Sequence, residues 1–117
     1  MKKLKKQGWL FMRVKKIKEY CNWIIEHFKK ISSFSEFVER DELMHAAAFL
    51  LSQIGELANK IDQVQKDLYM NIPWHNIVGL RNRIIHNYLG INQRIIFDIC
   101  MNDIPELLNN LNNPNIE

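Results

Sequence analysis

In the segment RNRIIHNY, Arg81 to Tyr88, a fixed cation and an imidazole stand five residues apart. A guanidinium does not lose its proton in a protein, so Arg81 offers permanent positive charge and planar donors to an anion such as phosphate. His86 carries the side chain whose unperturbed pKa lies nearest neutrality. It suits taking a proton from a nucleophile and returning one to a leaving group. Together these are the minimum parts for metal-independent RNA cleavage. The imidazole activates a ribose 2′-hydroxyl, the cation stabilises a phosphorane-like transition state, and a cyclic phosphate results. DNA lacks that hydroxyl and would be spared.

The positioning of the two groups follows from helix geometry. At about 100° per residue, a helix over residues 73–88 gathers Trp74, Ile77, Val78, Leu80, Ile84, Ile85 and Tyr88 in an arc of roughly 160°, with Arg81 near its centre. An arginine in an apolar face needs a partner or a polar cleft. The plain chemical reading is an ion pair with a neighbouring carboxylate such as Glu56; the other is a functional group. His75, Asn82 and His86 share a flanking stripe with Gly79, and Arg83 points away. Arg81 and His86 diverge by about 140°, so within one chain they do not converge on one atom. A symmetric dimer pairing this helix with its copy would bring both arginines and both histidines into one cleft. Asn82, one turn from His86, is placed to orient the imidazole or meet phosphate, and Tyr88 lines the same cleft.

Three further segments show helical spacing. From Phe11 to Ile31, Val14, Ile17, Cys21, Ile24, Phe28 and Ile31 step by three and four. From Asp41 to Ile61 the seam is Leu43, Ala47, Leu50, Ile54, Leu57 and Ile61, and the opposite face, Ala48, Phe49, Ser52 and Gly55, is mostly small, which lets another helix approach closely and suits a subunit contact. From Asn92 to Leu111, Ile95, Ile96, Ile99, Cys100, Ile104, Leu107, Leu108 and Leu111 share a face, with a kink or break expected at Pro105. Pro73 suits the first turn of the site helix and Gly90 its stop. Ser33 and Glu36 form a capping-box pattern for a short extra helix closed by Phe34 and Phe37. There is no strand alternation, internal repeat or Gly-rich phosphate loop. The expected fold is all-α, an antiparallel up-and-down bundle of four main helices plus a short extra helix. It forms one domain over residues 1–117, with a basic arm at 1–9 and a frayed tail at 112–117.

A chain of 117 residues that is 47% hydrophobic can build one packed core. No apolar run nears the ~20 residues that span a bilayer, and the basic opening is not a signal peptide; the expectation is a cytoplasmic protein without a membrane partner. Cys21 and Cys100 lie in apolar seams without metal-ligand spacing, which predicts free core thiols and no metal site. The net charge of +3 permits approach to nucleic acid, and much of the excess sits at Lys2, Lys3, Lys5 and Lys6. Trp74 reads as a packing residue, and His27, His45 and His75 as surface groups.

At these residues the chain resembles the HepT-like branch of the HEPN ribonucleases. The family pattern R-x-x-x-x-H-x-Y is met by Arg81, His86 and Tyr88 inside IPWHNIVGLRNRIIHNYLGIN. A second match is QIGELANK, Gln53 to Lys60, and a third is DIPELL, Asp103 to Leu108. The resemblance implies a HEPN-like bundle acting as a homodimeric endoribonuclease, the toxin of a HEPN/MNT (type VII) toxin-antitoxin pair that cleaves tRNA or mRNA. It implies catalytic roles for Arg81 and His86 and a supporting role for Asn82. Tyr88 would be the hydroxyl that an MntA-like minimal nucleotidyltransferase antitoxin modifies with AMP. ATP would be used by that partner alone, and the toxin would need no cofactor. The modification would add a bulky negative group beside the RNA cleft. A different class of function also fits a small helical bundle: a non-catalytic nucleotide-binding or adaptor subunit of a nucleotidyltransferase complex. Cleavage activity, or its lack, separates the two.

Overall fold

The computed structural model describes the backbone of residues 2–89 and 92–115, and the side chains of residues 11–86 and 92–115. Among these residues there is no strand. The all-α expectation holds.

The first helix, α1 (Lys2–Phe28), buries Val14, Ile17, Cys21, Ile24 and Phe28, as their spacing predicts. Within the expected basic arm, the backbone of residues 2–9 is helical and forms the first turns of α1. Lysine, leucine and glutamine are good helix formers, and no proline interrupts them. A short α2 (Phe34–Val38) follows, with the Ser33 hydroxyl accepting from the Glu36 N–H at 3.2 Å. The reciprocal half of the capping box is shifted by one residue. The Glu36 carboxylate accepts from the Ser32 hydroxyl at 2.7 Å and the Ser32 N–H at 2.8 Å, and these bonds hold its carboxyl below the usual range. Phe34 and Phe37 close this end against Phe97, with Phe28 behind them.

The central helix, α3 (Asp41–Asn59), buries Leu43, Ala47, Leu51, Ile54 and Ala58. Leu50 and Leu57, expected in the seam, are only partly buried and turn toward α1. Arg13 and Lys16 of α1 lie by Lys60 and Leu57, while Tyr20 and Trp23 lie by Ala46 and Leu50, so α1 and α3 run antiparallel. A second short helix, α4 (Gln63–Lys66), joins α3 to the site region.

The expected third helix is two: α5 (Trp74–Val78) and α6 (Leu80–Leu89), divided at Gly79, whose ψ of −8° tightens the turn. Pro73 occupies the N-cap of α5 rather than its first turn. The stop expected at Gly90 lies outside the described residues. The last stretch comprises α7 (Gln93–Asp98), a wide π turn over Ile99–Asp103, and α8 (Ile104–Leu111). Pro105 does not break it. It sits in the first turn of α8, where its missing N–H costs nothing, and the irregularity falls just before it. The tail is held in part, since the Asn115 N–H donates to the Leu68 carbonyl at 2.7 Å.

Both cysteines are free and buried, as expected. Among the described residues no helix is long and apolar enough to cross a membrane.

Candidate active site

The site is set by the packing of α3 on the α5–α6 junction. Gly55 brings the α3 backbone against that junction so closely that a Cβ there would lie 3.3 Å from the carbonyl oxygens of both Ile77 and Val78. The close helix approach expected of the small-residue face is met at Gly55, where the neighbour is the α5–α6 junction of the same chain rather than a second subunit.

The residue after Gly55 holds the key cation. Glu56 Oε1 accepts from Arg81 Nε at 2.9 Å, with the two side chains 56% (Arg81) and 34% (Glu56) exposed. A pair this open contributes only about 0–1 kcal/mol to stability, so its consequence is orientation rather than folding energy. The bond engages Nε; the other four N–H donors of a guanidinium sit on its two terminal nitrogens, the edge that grips a phosphate bidentately.

Arg81 is therefore not at the centre of a buried face, as the 160° arc predicted. The buried stripe of this region is Ile77, Leu80 and Ile84, and Arg81 flanks it. The arc came out too wide because it merged two surfaces. Ile85 is 43% exposed and Phe49, facing it from α3, is 59% exposed. Together with His45, Ala48, Ser52 and Ile84 they line an apolar groove of about 300 Å³ open to solvent.

His86 and Asn82 are exposed on α6. Arg81 and His86 lie five positions apart on one short helix, which sends the side chains about 140° apart and leaves the geometric difficulty seen in the sequence in place. Tyr88 belongs to the last turns of α6, and its side chain lies outside the described residues. His27 stacks on Trp23 at 3.7 Å between ring centroids, away from the site. Trp74 packs edge-on to Tyr69 and donates to the Lys66 carbonyl, as a packing residue does. A more enclosed cavity of about 160 Å³ lies between α5–α6 and the π turn with α8, lined by Asn76, Arg83 and Asp103 among others, and includes neither Arg81 nor His86. Among the described residues no group of three or more His, Cys, Asp or Glu could hold a metal ion.

Sequence reasoning undervalued Glu56, which entered only as one possible ion partner, whereas Ala48, Phe49 and Ser52 of the exposed groove were expected to meet another surface. The signal for Glu56 was its place in QIGELANK.

Residues 17–113 match a family described as Ribonuclease HepT-like. A relative from Caldanaerobacter subterraneus subsp. tengcongensis, named as a candidate RNase, is 36% identical over 91 residues, covering 78% of this chain and 80% of its own. A candidate RNase from Methanocaldococcus jannaschii is 34% identical over 78% of this chain and 83% of its own. A candidate ribonuclease HepT from Thermococcus cleftensis is 31% identical over 72% of this chain and 76% of its own. No solved structure matches the chain.

Proposed function

Because the chain belongs to the HepT-like ribonuclease family, we propose that it is a metal-independent endoribonuclease working as a homodimer, with Arg81 and His86 as its catalytic residues. His86 takes the proton of a ribose 2′-hydroxyl, whose oxygen attacks the adjacent phosphorus. Arg81 neutralises the charge that builds on the phosphoryl oxygens. The 5′-oxygen leaves with a proton from an imidazolium, giving a 2′,3′-cyclic phosphate and a 5′-hydroxyl. Asn82 supports the imidazole or the phosphate.

The observation that carries this reading is the Glu56–Arg81 pair, which fixes a guanidinium at the surface. A cation stationed there at almost no gain in stability fits a role toward an anionic ligand. The homodimer answers the divergence of Arg81 and His86. The exposed groove with Phe49 and Ile85, the latter one helical turn beyond Arg81 on α6, is the apolar surface that a second copy would cover.

By the same resemblance the nuclease is the toxin of a HEPN/MNT pair acting on tRNA or mRNA, and its MntA-like antitoxin blocks it by attaching AMP from ATP to Tyr88. The added phosphodiester repels the RNA backbone.

The test is cleavage of RNA by the purified chain in the presence of a chelator, with the ends of the products identified. Wild type should leave cyclic phosphate ends, and His86→Ala and Arg81→Ala should cleave nothing while remaining folded. Cleavage by either variant at the wild-type rate refutes the assignment, and an inactive wild type returns the chain to the adaptor reading. Incubation with the antitoxin and ATP should add the mass of AMP to wild type and not to Tyr88→Phe; equal modification of the phenylalanine variant would remove Tyr88 from the scheme.

A further inference from the structure

The family match begins at Ile17, and the residues before it differ from the rest in charge. Residues 1–16 contain seven Lys or Arg and no Asp or Glu, whereas residues 17–117 contain nine Lys or Arg against thirteen Asp or Glu. The net charge of +3 is thus +7 on the first segment and −4 on the remainder. A body of negative net charge repels a phosphate backbone. Apart from local cations such as Arg81, the long-range attraction to a polyanion is concentrated in the N-terminal segment.

That segment is the start of α1, and its charges are ordered along the helix. At about 100° per residue, the positions of Lys2, Lys5, Lys6, Arg13 and Lys16 share one arc of about 100°, and Trp9 falls near its middle. Tyr20 continues the arc, with the Lys16 ammonium 5.2 Å from its ring centroid. Lys16 also meets Glu19 at 3.3 Å, an exposed contact that subtracts little from the stripe's charge. Phe11 and Met12, beside it, are 50% and 62% exposed.

The described end of the stripe meets α3 one residue from the carboxylate that holds Arg81. Arg13 Nη1 donates to the Lys60 carbonyl at 2.7 Å, fixing α1 to the C-terminal end of α3. Leu57 lines a shallow groove with Met12, Arg13 and Lys16, and its neighbour Glu56 holds Arg81. Cations with an interleaved aromatic ring are the means by which proteins hold single strands without reading sequence: phosphates on the charges, a base on the ring.

We propose that the α1 stripe of Lys2, Lys5, Lys6, Trp9, Arg13 and Lys16 is a docking surface for single-stranded RNA, leading the strand toward Arg81. The proposal rests on the ribonuclease reading for its choice of polyanion, and its test is independent of cleavage. Binding of a labelled single-stranded RNA to the full chain is followed by fluorescence anisotropy over a range of salt, in a His86→Ala background so that the RNA stays intact. Replacing Lys2, Lys5 and Lys6 together by Gln keeps helix propensity. It should weaken binding at least about tenfold at low salt and flatten the slope of log K against log salt by about 2, at ~0.7 per phosphate contact. Trp9→Ala should weaken binding about tenfold with the slope unchanged, through lost stacking, and Trp9→Phe should restore it.

Unchanged affinity and slope in the triple variant, with wild-type helicity by circular dichroism, overturns the proposal. So does a triple variant that binds RNA normally but loses binding to phosphatidylglycerol vesicles, which would make the stripe a membrane contact. RNA held through the stripe by a wild type that never cleaves it would leave docking standing and remove the ribonuclease reading. Cleavage with an unaltered KM in the triple variant, made in an otherwise wild-type chain, would do the reverse.

Discussion

A side chain at Gly55 would run into the backbone of Arg81: a Cβ built there lies 2.8 Å from the Arg81 nitrogen. The contact is with main chain, not with the tip of a flexible side chain that can swing aside. One residue of α3 therefore seats the Arg81 backbone and the next, Glu56, aims its guanidinium.

Gly55→Ala should therefore do double damage. Overpacking of this kind costs about 1–3 kcal/mol, read as a lower urea midpoint at unchanged slope. Cleavage measured where the variant is still fully folded should fall as well, because separating α3 from α6 displaces Arg81 from its anchor. A destabilised variant with full activity would separate the close approach from catalysis.

Glu56 tests orientation without packing. Removing an exposed partner should change stability by no more than about 0.5 kcal/mol. In Glu56→Ala, kcat should fall about tenfold or more while KM for RNA changes little, since a freed guanidinium still attracts phosphate but no longer meets the transition state in place. Glu56→Gln, which keeps an acceptor oxygen, should recover part of the loss. A change confined to KM would make Glu56 a substrate contact instead.

If the site is shared between two copies, inactive chains should rescue one another. Arg81→Ala and His86→Ala, each inactive alone, should together reach about a quarter of wild-type activity after reassortment. Half of the dimers are then mixed, and each mixed dimer keeps one intact pair. No rescue would put Arg81 and His86 to work within one chain. Phe49→Asp, which places a carboxylate in the exposed groove, should shift the protein to monomer in sedimentation and abolish both activity and rescue.

The buried thiols predict an alkaline weakness. Burial pushes the Cys21 thiol up to about 12, and burial, aided by Cys21 and Asp103, raises Cys100 further. An unfolded thiol ionises near ~8.5. Between there and 12 the unfolded chain has released protons that the folded chain keeps, so stability is intact below the first value and falls as pH rises, by about 1.4 kcal/mol per pH unit for each thiol. Melting temperature should drop steeply above about pH 9, and less steeply in Cys21→Ala. The native thiols should resist alkylation at pH 8 until the chain unfolds.

The seams of α1 and of the last stretch were legible because each has one buried side, so apolar spacing and burial coincide. In α6 they do not. Periodicity counts Ile85 with Ile84 whether the chain covers it or leaves it open, and so Arg81 looked central when it stands at the border of two surfaces. The break at Gly79 and the shift of burial from Leu50 to Leu51 depend on how α3 meets its neighbours, which spacing within one helix does not encode. The residue types of the site could be read from RNRIIHNY. That Glu56 holds Arg81 required two segments to be brought together.

The π turn before Pro105 sets a counting rule for the end of the chain. Ile96, Cys100, Ile104, Leu107 and Leu111 are all buried, although four steps over that span advance faster than 3.6 residues per turn and would carry a straight helix about 60° off its face. The extra residue housed in Ile99–Asp103 absorbs the drift. Deleting one residue there would leave composition and helicity almost untouched, yet it would swing Ile104, Leu107 and Leu111 out of the core by about a quarter turn. The stretch thus tolerates substitution far better than a change of length.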